Sequence, residues 1–161
     1  MTIKIGRSKE LPSQEQILKV EVELGVKLPI EYLQFLTQGN GGVPETNIFK
    51  VSTNNDSGIS EFISLDRIVY EAGLIKDQIG KDFVPVAHAE GGNYLCLAVT
   101  GLSTGSVYFL DHEIPGEDGL IKLASSLKEF LEVVQPFDRK QIKLKPGQVK
   151  KAWIDPSLLK N

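Results

Sequence analysis

Cysteine is almost missing from this chain. Cys96 is the only one in 161 residues, so no internal disulfide can form, and a single thiol fits a reducing cytoplasm. Histidine occurs twice, at 88 and 112, and the tight Cys/His spacings of structural metal sites are absent. Long apolar runs are missing too: MTIKIGRSKELPS has none that could serve as a signal peptide, and no later segment could span a bilayer. Cytoplasmic residence and no membrane association are therefore expected. Nucleotide motifs are also lacking. Gly91-Gly92 and Gly101-Leu-Ser-Thr-Gly105 fit neither G-x-x-x-x-G-K-[ST] nor G-x-G-x-x-G. The segment after Gly92 reads as a strand, not as a helix N-terminus with free N–H groups. A phosphate cradle is excluded and no cofactor is expected.

What is present suits one soluble domain with a sizeable core, at 41% hydrophobic and 24% charged residues. The net charge of −3 hides an asymmetry. Residues 137–161 hold seven Lys/Arg against Asp138 and Asp155, a balance of +5, which leaves residues 1–136 at −8. An acidic body repels nucleic acid and attracts cationic proteins. The basic tail alternates Lys with Ile142, Leu144 and Val149, which reads as an edge strand protected by lysines more than as a phosphate contact. A tail folded onto its own acidic body is a third reading.

Ser13-Gln-Glu-Gln16 is a capping-box pattern that opens a helix carrying Ile17, Val20 and Leu24 and ending at Gly25. Pro29 starts a second helix with Tyr32, Leu33, Phe35 and Leu36, stopped by Gly39-Asn-Gly-Gly42. Two helices joined this closely are expected to form a hairpin covering something else. Residues 47–51 read as a strand and Ser52-Thr-Asn-Asn-Asp-Ser-Gly58 as a polar loop. Ser64 caps a third helix with Leu65, Ile68, Val69 and Ala72, fading near Gly73. Strand-like runs at 83–87, 94–99 and 106–110, separated by glycine turns, predict an antiparallel meander. Ser126-Leu-Lys-Glu129 opens a last helix, stopped by Pro136. The order of elements predicts an α+β fold, with helices packed against a central, mostly antiparallel sheet.

Candidate chemistry gathers around the two histidines. His88 and His112 with Glu90, Asp111 or Glu113 could share a metal, but the ligand set is poor and no metal is expected. Glu90 paired with Asp111 or Glu113 has no spacing signature of hydrolysis. Cys96, inside Tyr94-Leu-Cys-Leu-Ala98, reads as a core residue and not a nucleophile. No catalytic residue is assigned and no enzymatic activity is expected. Asp111-His-Glu113 is either a solvated strand end or part of an acidic recognition patch with Glu90, Glu117 and Asp118. His88 reads as a hydrogen-bonding residue at a strand end, and Gly91-Gly92 as a sharp hairpin turn.

Four separated motifs resemble one family. Leu24-Gly-Val-Lys-Leu-Pro-Ile-Glu-Tyr-Leu-Gln-Phe-Leu36 with Asn40-Gly-Gly42 is similar to the signature helices of the SUKH superfamily. So are Phe83-Val-Pro-Val-Ala87 with Gly91-Gly-Asn-Tyr-Leu-Cys-Leu97, then Gly105-Ser-Val-Tyr-Phe109 with Asp111-His-Glu113, and lastly Ser126-Leu-Lys-Glu-Phe-Leu131. That superfamily contains bacterial immunity proteins and fungal cell-wall assembly regulators. The resemblance covers about 13–134 and implies a non-enzymatic role, binding and neutralising a polymorphic or contact-dependent toxin. Such toxins are often nucleases with basic surfaces. A stand-alone adaptor or regulator linked to cell-wall or signalling processes is the alternative it implies. One departure is Ala98, where relatives often carry an acid on which a site could be built. The expected organisation is an N-terminal extension over 1–12, a SUKH-like domain over 13–136, and a basic extension over 137–161 packed on it. The expected partner-binding residues are Glu90, Asn93, Asp111, His112 and Glu113, with no nucleic acid or membrane partner. Asn40, Gly41 and Gly42 are expected to serve the fold by terminating helix two with positive φ.

Overall fold

The computed structural model describes residues 3–137; the expected edge strand or phosphate contact within 138–161 lies outside them. The fold is α+β, with four helices and a six-stranded antiparallel sheet. Helix α1 (Gln14–Leu24) begins at the expected capping box. The Ser13 hydroxyl accepts the Gln16 N–H at 3.2 Å, and Gln16 Oε1 accepts the Ser13 N–H at 2.8 Å. Gly25 closes the helix at φ 70, a left-handed cap that an L side chain resists. Helix α2 (Ile30–Leu36) follows with Pro29 as its N-cap.

The two helices do not form the expected hairpin. Helix α3 (Leu65–Ile79) packs against α1, whereas α2 packs against α4 (Leu127–Val133). Glu21 fixes the divergence. Its buried carboxylate accepts the Leu28 N–H at 2.8 Å through Oε1 and meets Lys27 Nζ at 3.3 Å through Oε2. A charged hydrogen bond across the connector sets the angle at which α2 leaves.

Helix α3 also runs past Gly73, where the sequence pattern fades. Its buried stripe is Leu65, Ile68, Glu71, Ile75 and Ile79, so a carboxylate occupies the one position where an apolar residue would have continued the period. The N-terminal N–H of Leu65 is taken by Asn40 Oδ1 at 2.8 Å rather than by Ser64. Asn40 Nδ2 donates to the Glu10 carbonyl at 2.8 Å. Gly41 and Gly42 do have positive φ, 74 and 114, but helix two already ends at Thr37. A Cβ on Gly41 would lie 2.8 Å from the Ser64 nitrogen, and one on Gly42 would meet the Gly6 carbonyl oxygen, so the glycines serve close backbone approach to the start of α3 and to residues 5–8. Upstream, Ile3 is buried, and strand β1 (Ile5–Gly6) pairs with β2 (Val43–Pro44).

The sheet is a meander in sequence order: β3 (Ile48–Ser52), β4 (Asn55–Phe62), β5 (Phe83–Ala89), β6 (Asn93–Ala98), β7 (Val107–Leu110) and β8 (Leu120–Ala124). Strand β8 was not expected, and the expected loop 52–58 is mostly the start of β4. Thr53-Asn54 alone makes the turn; Asn55 and Asp56 are exposed at the hairpin tip, so they carry no apolar signal. Pro85 sits inside central strand β5, and the register shifts between it and Ala87, the position where a residue without N–H is tolerated. Bulges in four of the five pairings add twist, and the sheet curls until β3 and β8 come into contact. Gln135, after α4, seals the β3 edge by exchanging two backbone hydrogen bonds with Ile48 at 2.7 and 2.8 Å. One sheet face closes over Phe49, Phe109 and Phe130; the other receives α3 on β5.

Candidate functional site

Two polar clusters of different kinds lie side by side at one end of β5, β6 and β7, around the β5–β6 turn and the end of β7. The first lies under α3. Glu71, 3% exposed, accepts Arg67 Nη2 at 3.0 Å and meets His88 Nε2 at 2.9 Å through Oε1, and accepts the Tyr94 hydroxyl at 2.9 Å through Oε2. Arg67 in turn reaches Glu61 at 3.1 Å. His88 and Tyr94 are cross-strand partners, with ring centroids 5.1 Å apart. Burial alone would raise the Glu71 pKa. The Tyr94 hydrogen bond, His88 and Arg67 outweigh it and hold the carboxyl below its ordinary range. Desolvation first, then the Glu71 carboxylate, push the Tyr94 hydroxyl up to about 12. His88 is therefore hydrogen-bonded, as its strand-end position implied, and its partner is the Glu71 carboxylate. The signal for Glu71 was in the sequence as an acid on the buried stripe of α3.

The second cluster is exposed. A 3-10 turn, Glu90–Gly92, joins β5 to β6, with Gly91 and Gly92 at φ 76 and 79. Asn93, at its exit, donates Nδ2 to the Glu90 carbonyl at 3.2 Å. Its Oδ1 accepts the His112 backbone N–H at 3.1 Å and lies 2.7 Å from His112 Nδ1. Since the amide oxygen already faces a backbone donor, Nδ1 carries the imidazole proton, leaving Nε2 outside the clamp. A Cβ on Gly92 would come within 3.3 Å of His112 Cε1, so the glycine is needed for contact as well as for φ. Beyond β7, Asp111 Oδ1 accepts the Glu113 N–H at 2.9 Å. Gln78 of α3 donates to the Ile114 carbonyl at 2.7 Å and the Asp111 carbonyl at 3.3 Å. A second 3-10 turn, Gly116–Gly119, closes the loop through Gly119 O, which accepts the Asp111 N–H at 2.8 Å.

The structure thus brings four of the five expected residues together: Asn93, Asp111, His112 and Glu113. Glu90 belongs to the same turn, but its carboxylate folds back over β4, where a Cβ on Gly58 would lie 2.7 Å from Glu90 Oε1. The segment that carries these loops is acidic in its charged residues. Between Lys81 and Lys122 the sequence has Asp82, Glu90, Asp111, Glu113, Glu117 and Asp118 and no Lys or Arg. Among the described residues no group of three His, Cys, Asp or Glu converges as a metal site. Cys96 is buried and desolvation pushes its thiol pKa up, so it is packed as an apolar side chain. No helix among the described residues is long and apolar enough to cross a membrane.

The sequence pattern of the SMI1 / KNR4 family (SUKH-1) matches residues 11–133. The chain belongs to that family. The SUKH-1 match ends at the last residue of α4 and takes in both polar clusters. The SPbeta prophage-derived uncharacterized protein YokK of Bacillus subtilis (strain 168) is similar to this SUKH-1 chain, at 25% identity over 154 residues, covering 81% of the chain and 78% of the relative.

Proposed function

We propose that this SUKH-1 protein is a non-catalytic immunity protein, binding a cognate polymorphic or contact-dependent toxin in the cytoplasm and neutralising it. The observation that carries the reading is the exposed loop pair 90–93 and 111–119, ordered by the Asn93–His112 clamp and the Gln78 bonds and free of cationic side chains. Pre-ordered loops lose little entropy on binding, and an acidic face speeds encounter with a basic surface such as that of a nuclease while rejecting wrong partners. A prophage-derived relative fits a role in conflict between genetic elements. The polar groups nearest to catalytic geometry, around Glu71, are occupied with one another.

Co-expression with a toxin encoded by the adjacent gene tests the reading. A stoichiometric complex and restored growth are expected; neither forming would overturn it. The adaptor reading, in cell-wall or signalling processes, draws on the fungal regulators that share the family. It predicts instead that deletion disturbs the envelope of cells lacking any toxin neighbour.

A further inference from the structure

Helix α3 carries an apolar stripe that is exposed among the described residues. Tyr70 is 69% and Leu74 57% exposed, one helical turn apart on the same face. The next turn brings Gln78, whose side chain holds the carbonyl of Ile114, itself 38% exposed. The stripe therefore runs along α3 into the acidic loop. Its cationic neighbour Arg67 is held by Glu61 and Glu71, and Lys76 lines the opposite side of the helix with Leu24 and Val26. The exposed apolar pair on α1, Leu18 and Val22, is different: Lys19 and Glu23 flank it with both signs.

Resting on the immunity reading, we propose that Tyr70 and Leu74, with Ile114 at the end of their stripe, anchor a cationic protein partner whose Lys and Arg side chains meet Glu113, Glu117 and Asp118. An exposed tyrosine beside aliphatic side chains is the composition of an interface hot spot, and a charged rim gives it register. Charge complementarity selects the occupant. The same acids repel nucleic-acid phosphates and anionic lipid, so the partner is a basic protein with an apolar socket.

The test uses the full chain and the adjacent-gene toxin domain, produced with its catalytic residue inactivated. A benzophenone side chain is placed at position 70, 74, 22 or 133, all exposed. Cross-links from 70 and 74 but not from 22 or 133 are expected. Tyr70→Ala and Leu74→Ala should each weaken the complex by roughly tenfold to thirtyfold with the thermal midpoint unchanged. Glu113→Lys should weaken it further at low salt than at high salt. A complex that cross-links through 22 or 133 and tolerates Tyr70→Ala overturns this inference and leaves the immunity reading standing. No complex and no protection overturn both.

Discussion

The two histidines sit in opposite surroundings. His88 lies half-buried against Glu71, in a cluster where each charged or polar group satisfies another. His112 lies exposed, tied through Nδ1 to Asn93, among acids that face solvent. The first cluster joins α3 to the sheet; the second orders a surface. The groups around the buried Glu71 carboxylate are paired with one another, whereas Glu113, Glu117 and Asp118 of the neighbouring cluster face solvent.

The largest effect that could break this contrast is loss of the Glu71 carboxylate. Glu71→Leu leaves the Tyr94 hydroxyl and Arg67 without their buried partner and should cost about 3 kcal/mol of unfolding free energy in urea titration. A similar loss in His112→Ala would erase the distinction. Gly92→Ala comes next, at about 1–2 kcal/mol, because φ is 79 and the new methyl meets His112. Tyr94→Phe should cost about 1.5 kcal/mol, the value of a hydrogen bond to a charged acceptor.

The pH profile sharpens the same point. The folded Glu71 pKa lies below its ordinary 4.5, so its contribution is complete above 4.5 and lost as pH falls through the lower folded value. Tyr94 is raised from 10.0 to about 12, so its contribution is complete below 10 and lost as pH rises through about 12. Glu71→Gln should lower stability at neutral pH and flatten the acid limb of the curve. An acid limb as steep as the wild type's would contradict the role given to Glu71. The smallest change in stability belongs to Glu113→Lys, within about 0.5 kcal/mol by thermal unfolding, as for exposed positions without special contacts.

How far the sequence exposed these two regions depends on the residues each is made of. Capping-box patterns at Ser13 and Ser126, the glycines at 91 and 92, and the short apolar runs of β5 to β7 between glycine turns are local signals, and they placed α1, α4 and the meander. The acidic loop was legible for the same reason: Asp111, His112 and Glu113 interrupt an alternation. Strand β8 was missed because Leu120-Ile-Lys-Leu-Ala124 sits on an edge, most of its residues only partly covered, so its pattern has no clean alternation. The start of β4 was hidden by its polar hairpin tip. Glu71 was missed because its partners come from β5, β6 and the preceding turn of α3, and only the folded sheet brings His88 and Tyr94 beneath it. The Tyr70–Leu74 stripe was hidden likewise, since exposure is a property of the packing and not of the residues.

The division between fold and recognition is tested most sharply by a paired measurement on Glu113→Lys: calorimetric affinity for the adjacent-gene toxin domain beside unfolding free energy. Affinity should weaken at least about tenfold, with unfolding free energy unchanged within about 0.5 kcal/mol. Unchanged affinity, or affinity lost only in step with stability, would contradict that division.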